Sequence, residues 1–199
     1  MKRWTLAAAC TLAAATMAVP VKAAAPKFYF QMQPVKAGPE VDAAVKTYAG
    51  EALRAELASR PEWASDIGPT GKEGPGQDRS GLVGELKRRN LRGFDVTARI
   101  EKLKQDVKDP KPGARNKQLA VEVQLTVFGT TIPDAKLAFS GDGQSGSEAE
   151  VSEKHLPADT TEATNDVIKD AIKQAVDQAV LKLSIGKAGP MNEKHRHKK

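Results

Sequence analysis

Apolar and polar residues alternate most strictly between Gly93 and Val127. Phe94, Val96, Ala98 and Ile100 take turns with Asp95, Thr97, Arg99 and Glu101. A period of two places one set in a core and the other in water, which is the signature of a half-buried strand. The phase then slips, because Leu103 rather than Lys102 continues the apolar set. One extra residue there predicts a β-bulge. Asp109-Pro110-Lys111-Pro112-Gly113 supplies turn chemistry. Leu119, Val121, Val123, Leu125 and Val127 then resume the alternation, completing a hairpin. A second connection over Gly129 to Asp134 leads to another strand, which starts at Lys136 to Ser140 through Leu137 and Phe139. The Gly/Ser-rich run Gly141 to Ser147 allows it to extend toward Val151.

Outside this block the period changes. Phe28, Phe30 and Met32 alternate with Tyr29, Gln31 and Gln33, predicting a strand over Phe28 to Val35. Val41, Val45, Tyr48, Ala49, Ala52, Leu53 and Leu57 recur in steps of three and four, the stripe of an amphipathic helix that stops before Pro61. Residues 61–81 are rich in glycine and proline and predict a flexible loop. Ser80 is placed to cap a short helix through Leu82, Val83 and Leu86. Asp159 precedes Glu162 by three residues, like a capping box. The helix it opens carries Val167, Ile168, Ala171, Ile172, Ala175, Val176, Ala179, Val180 and Leu183, and Gly186 ends it. The element order is therefore β-α-α-β-β-β-α. The economical fold is α+β, a two-layer sandwich in which two helices cover one face of a four-stranded, mostly antiparallel sheet. Thr97, Arg99, Glu122, Gln124 and Thr126 would face water or a partner on the other side.

The first residues read as an address. Lys2 and Arg3 lead into a small-residue apolar run from Trp4 to Val19, and Ala23-Ala24-Ala25 offers a cleavage site. This is the plan of a secretory signal peptide, so residues 1–25 are expected to be removed and the mature chain to be periplasmic or secreted. Pro20 breaks the run short of the roughly 20 residues that span a bilayer, so no transmembrane segment is expected in the mature chain. Cys10 is the sole cysteine and lies inside that signal. Too little apolar core precedes it for a lipid-attachment site, and no disulfide or thiolate site is expected after cleavage. Residues 26–186 then form a single domain and 187–199 a disordered basic tail. The formal net charge of +6 changes meaning with this division. Without Lys2, Arg3 and Lys22 it is +3, and the tail from Lys187 carries a net +4, leaving the body near −1. A basic tail on a near-neutral exported body argues against a nucleic-acid partner.

No catalytic constellation stands out. Gly141-Asp142-Gly143-Gln144-Ser145-Gly146 has the letters of a dinucleotide fingerprint, but no helix follows the glycines to meet a pyrophosphate. It reads as the flexible or bulged end of a strand. Gly143 to Ser147 misses the last glycine of a nucleophile elbow, and Gly68 to Lys72 lacks the hydroxyl residue of a phosphate loop. His155 stands alone, and His195 and His197 lack carboxylate or thiolate company. Neither a metal nor a cofactor is expected. The cations form two groups: Lys87, Arg88, Arg89 and Arg92, then Lys102, Lys104 and Lys111. These are candidate sites for an anionic lipid or polymer, since guanidinium and ammonium groups suit phosphate and carboxylate. A solvated edge that discourages strand pairing accounts for the same residues.

Five segments in this order carry a resemblance. They are Phe28–Val35 leading into Val41–Leu57, Gly93-Phe94-Asp95-Val96, Leu119–Val127 and Val167–Leu183. In element order they resemble a group of bacterial envelope proteins, including the lipopolysaccharide-assembly lipoprotein and the N-terminal domain of the Tol–Pal translocation protein. The resemblance implies a non-enzymatic binding or assembly role in the cell envelope, with an envelope protein as partner. The alternatives are a soluble binder of anionic glycolipid or cell-wall polymer, and a secreted hydrolase.

Overall fold

The computed structural model describes residues 27–64, 67, 79–111 and 116–185. The signal segment, most of the 61–81 loop and the basic tail lie outside the described residues. Strand β1 (Phe28–Met32) buries Phe28 and Phe30 on one side and Tyr29 on the other. A two-residue strand β2 (Lys36–Ala37) follows, then helix α1 (Ala43–Ala58), whose Ala49, Leu53 and Leu57 are buried. Next come β3 (Trp63–Ala64) and helix α2 (Ser80–Arg88). Three long strands, β4 (Arg92–Lys108), β5 (Asn116–Thr131) and β6 (Leu137–Ser152), lead into helix α3 (Leu156–Ile185).

The class is α+β, but the sheet is not the expected four-stranded, mostly antiparallel one. It has six strands in the order β3-β1-β4-β5-β6, with β2 also paired to β4. β4 pairs with β5 and β5 with β6, both antiparallel. β1 is parallel to both β3 and β4, and β2 is parallel to β4. The path from β1 to β4 passes through two helices, and such crossovers join parallel strands. β2 and β3 are held by backbone pairing over two residues each, too short to leave a period in the sequence.

α1 and α3 lie side by side on one face, as expected. Their apolar stripes meet Phe94, Val96, Ala98 and Ile100 from β4, and Leu119 to Val127 from β5. Trp63 sits at one end of this core, with its ring centroid 5.5 Å from those of Phe28 and Phe30 and 6.0 Å from that of Phe139. Arg60 ties the two helices together, its Nη2 2.5 Å from Asp177 Oδ1 while it also pairs with Glu56. The expected short helix lies elsewhere. α2 covers part of the opposite face, where Leu82 and Leu86 bury Tyr29, Ile67 and Ile132. Trp63 and Ile67 are therefore buried anchors within the stretch that read as loop. Asn90, at φ 54°, ends α2 in a left-handed turn, and the Leu91 N–H donates to Leu86 O at 2.9 Å.

β6 is a continuous 16-residue strand rather than a loose end. Its glycines serve packing. A Cβ on Gly141 would lie 1.9 Å from Ala175 O, and one on Gly143 would lie 1.9 Å from Ala171 O. The absence of side chains lets α3, through Ala171 and Ala175, rest directly on the strand. α3 begins at Leu156, three residues before the expected cap. Pro157 falls in the first turn, where its missing N–H is not needed. The bulge is where the phase slip put it, between Ile100 and Lys102.

Candidate functional site

Beyond the bulge, β4 leaves its neighbours β1 and β2 behind. β1 pairs with Arg92 to Val96 and β2 with Arg99 and Ile100, whereas β4 continues to Lys108. The distal half of the sheet thus consists of β4, β5 and β6 alone. One face is closed by α3, where Gln105 Nε2 donates to the buried Thr164 Oγ1 at 2.8 Å. The other face is open and charged, because alternation points Lys104, Asp106 and Lys108 outward from β4. Glu122 stands opposite Lys104 on β5, and Glu148 opposite Ala120 on β6. Ala120 and Gly146 have little or no side chain. They leave a shallow depression of about 400 Å³ framed by these charged groups.

The electrostatics of this face are those of paired charges. Lys102 Nζ lies 2.8 Å from Glu122 Oε2, and Lys104 Nζ lies 2.5 Å from Asp106 Oδ2. The hydrogen bond from Lys104 holds the Asp106 carboxyl below its ordinary range, and Lys102 does the same for Glu122. The bond to Asp106 in turn raises Lys104. These shifts keep Lys104, Asp106 and Glu122 charged at neutral pH. The arrangement suits ionic docking of an alternating partner surface, not proton transfer.

The structure does not bring the two candidate cation groups together. Lys87, Arg88 and Arg89 close α2 and Arg92 opens β4, while Lys102 and Lys104 lie past the bulge and Lys111 beyond the strand end. A 17-residue strand spans about 55 Å at strand rise. Within the first group, Arg88 and Arg89 both bind Glu85, at 2.6 and 2.5 Å. Arg89 also donates to Ile67 O at 3.0 Å. The Arg92 guanidinium lies over the core rings of Phe94 and Phe28, 5.4 and 5.9 Å from their centroids. Of the expected outer-face residues, Thr97 is buried and donates to Pro34 O at 2.8 Å. Arg99 stays exposed, 5.8 Å from the Phe128 ring centroid, with Lys36 5.9 Å from the same ring.

Sequence reasoning passed over one further surface. Met32, Pro34 and Val35 face Ala43, Thr47 and Gly50 of α1 across a groove of about 830 Å³ edged by Lys46 and Arg54. The helical glycine, with Val35 Cγ2 3.6 Å from where its Cβ would stand, is the signal that marked it. The motif residues fall where they have no chemistry. Gly141 to Gly146 and Ser145 lie inside β6 with no helix start after them, so neither a dinucleotide site nor a nucleophile elbow forms. His155 is an exposed turn residue before α3. No cluster of three or more metal-ligating side chains occurs among the described residues. No described helix is long and apolar enough to cross a membrane.

No protein-family model matches the chain, and no curated protein matches it. Solved structures do. A candidate lipoprotein from Caulobacter crescentus aligns over 81% of this chain and 92% of its own, with 10% identity and a TM-score of 0.41. A candidate neuraminyllactose-binding hemagglutinin homolog from Helicobacter pylori aligns over 86% and 90%, with 11% identity and a TM-score of 0.40. A minor lipoprotein from Acinetobacter baumannii aligns over 82% and 96%, with 7% identity and a TM-score of 0.36. Likeness of this degree carries no argument about function.

Proposed function

We propose that this chain is an exported, non-enzymatic binding or assembly component of the bacterial cell envelope, and that the distal half of its sheet is the contact surface. One observation carries the reading. β4, β5 and β6 run well past β1 and β2; there α3 covers one face, with Leu119, Val121 and Val123 in the core, and the other face stays open and carries alternating charge. Core formation accounts for the covered face, and docking would account for the charged face left open opposite it. The element-order resemblance to envelope assembly proteins agrees with it. The signal-like start would supply the route out of the cytoplasm.

The test is recovery of a C-terminally tagged full-length copy from its own host after mild in-cell crosslinking of the envelope. A stoichiometric envelope protein that remains bound in high salt is the expected result. Recovery of the chain without one overturns the partner reading.

A second reading rests on Lys87, Lys108 and Lys111, which have no ion-pair partner among the described residues. Lys87 with Arg88, Arg89 and Arg92, and Lys108 and Lys111 with Lys102 and Lys104, would form two separate sites for an anionic glycolipid or cell-wall polymer. Binding to vesicles containing an anionic lipid should then fall steeply as salt rises. It should also be lost when Lys102, Lys104 and Lys111 are neutralised together.

A further inference from the structure

Among the described residues, the two edges of the distal sheet carry opposite charge and lack a neighbouring strand. On β6, the N–H groups of Asp142 and Gln144 point away from β5, since they donate to Gln178 and Gln174 of α3 at 3.2 and 3.5 Å. The β5·β6 register is unbroken from Gly141 to Ser152, so Gly146, Glu148 and Glu150 also point their backbone groups outward. They find no backbone partner among the described residues. On β4, Val96 O accepts from Gln33 N–H at 2.8 Å, so even-numbered residues face away from β5 up to the bulge. The extra residue between Ile100 and Lys102 inverts that phase. Leu103, Gln105 and Val107 are then the residues whose backbone groups look outward.

Side chains sort the same edges by sign. Glu148 and Glu150 stand on the outer face at β6, with Glu153 just beyond. Lys102, Lys104 and Lys108 stand there on β4, with Asp106 already engaged by Lys104. Pairing two β6 edges would oppose glutamates, and pairing two β4 edges would oppose lysines; like charges directly opposite are destabilising. Only the unlike combination is complementary.

We propose that the chain assembles head to tail with further copies of itself, the β6 edge of one pairing in parallel with the β4 edge of the next. This goes beyond the envelope-partner reading and does not rest on it. Parallel pairing follows from the bulge. The outward-looking residues of β6 carry outer-face side chains, whereas those of β4 carry inner-face ones. An antiparallel ladder joins bonded residues of the same face and would turn the neighbouring sheet over. A parallel ladder, in which a residue bonds to the two flanking its partner, keeps the faces continuous. It also covers Val107, an apolar residue left 46% exposed at the β4 edge. Gln174 and Gln178 close β6 at Asp142 and Gln144, which confines the pairing to the segment beyond. A head-to-tail contact of this kind closes into a ring or continues as a filament.

Sedimentation velocity of the purified full chain, at low and at high salt, tests it with two variants. One carries Glu148→Lys and Glu150→Lys, the other Lys104→Glu and Lys108→Glu, and circular dichroism checks that each is folded. The wild type should form oligomers and each variant alone should lose them. Mixing the two variants should restore assembly, because every junction is again between unlike edges. A wild type that stays monomeric in low salt overturns the proposal and leaves the lysines as guards against edge pairing. Oligomers that survive both reversals, or variants that fail to rescue each other while folded, overturn it as well. So does a sheet edge found occupied by a different protein's strand.

Discussion

Gly141 and Gly84 show how differently one residue type is used. Adding a methyl group at Gly141 would drive it into the α3 backbone, which cannot rotate aside. Gly141→Ala should therefore lower stability by about 3 kcal/mol, the upper part of the range for overpacked sites. Gly84 is exposed within α2 with nothing within 4 Å of its would-be Cβ. Gly84→Ala should raise stability by about 1 kcal/mol, the helix-propensity difference. Urea denaturation of the two variants reads both signs. Glu85 makes a prediction in pH. Hydrogen bonds from Arg88 and then Arg89 hold its carboxyl down to about 2. A carboxylate lowered in this way contributes stability that is present above its unfolded value of 4.5 and fades as pH falls toward 2. Thermal melts should show Glu85→Gln less stable than the parent at pH 7, with the gap closing across that window.

The edge of β6 is where an element depends on its neighbour. α3 leans over the strand so that Gln174 and Gln178 accept its outward N–H groups. Replacing both with Ala should speed hydrogen exchange at Asp142 and Gln144 and increase self-association, because a longer stretch of open edge becomes available. Mass spectrometry of exchange and light scattering check the two halves. How legible an element was depended on whether its period came from the core. β4 and β5 alternate because one face is buried along most of their length, and the slip at Lys102 gave away the bulge. β2 and β3 are two residues each and carry no period at all. β6 was visible only at its start, because the residues that follow are chosen for what α3 needs and not for alternation. Gly141 and Gly143 look like looseness in a sequence and are close approaches in the fold. The open face was legible as a set of polar positions. Its extent was not, because that depends on where β1 and β2 stop pairing. The two cation groups, close in sequence, lie at the start of β4 and past its bulge.

At the scale of the molecule, the halves are made differently. Everything from β4 to α3 is built from consecutive antiparallel neighbours and a helix that folds back on them. β1 instead waits for a strand far along the chain, with Phe28 paired to Arg92 and Met32 to Val96. Closing a loop of that length is slow compared with forming successive hairpins. Pulse-labelled hydrogen exchange during refolding should accordingly protect β5 amides before those of β1. The opposite order would mean that the aromatic end of the core nucleates first. Were the chain exported as its signal-like start would direct, the parallel pair β1·β4 would have a kinetic meaning. The leading segment would then emerge without its partner and stay unpaired until Arg92–Val96 followed, close to the midpoint of the 199 residues.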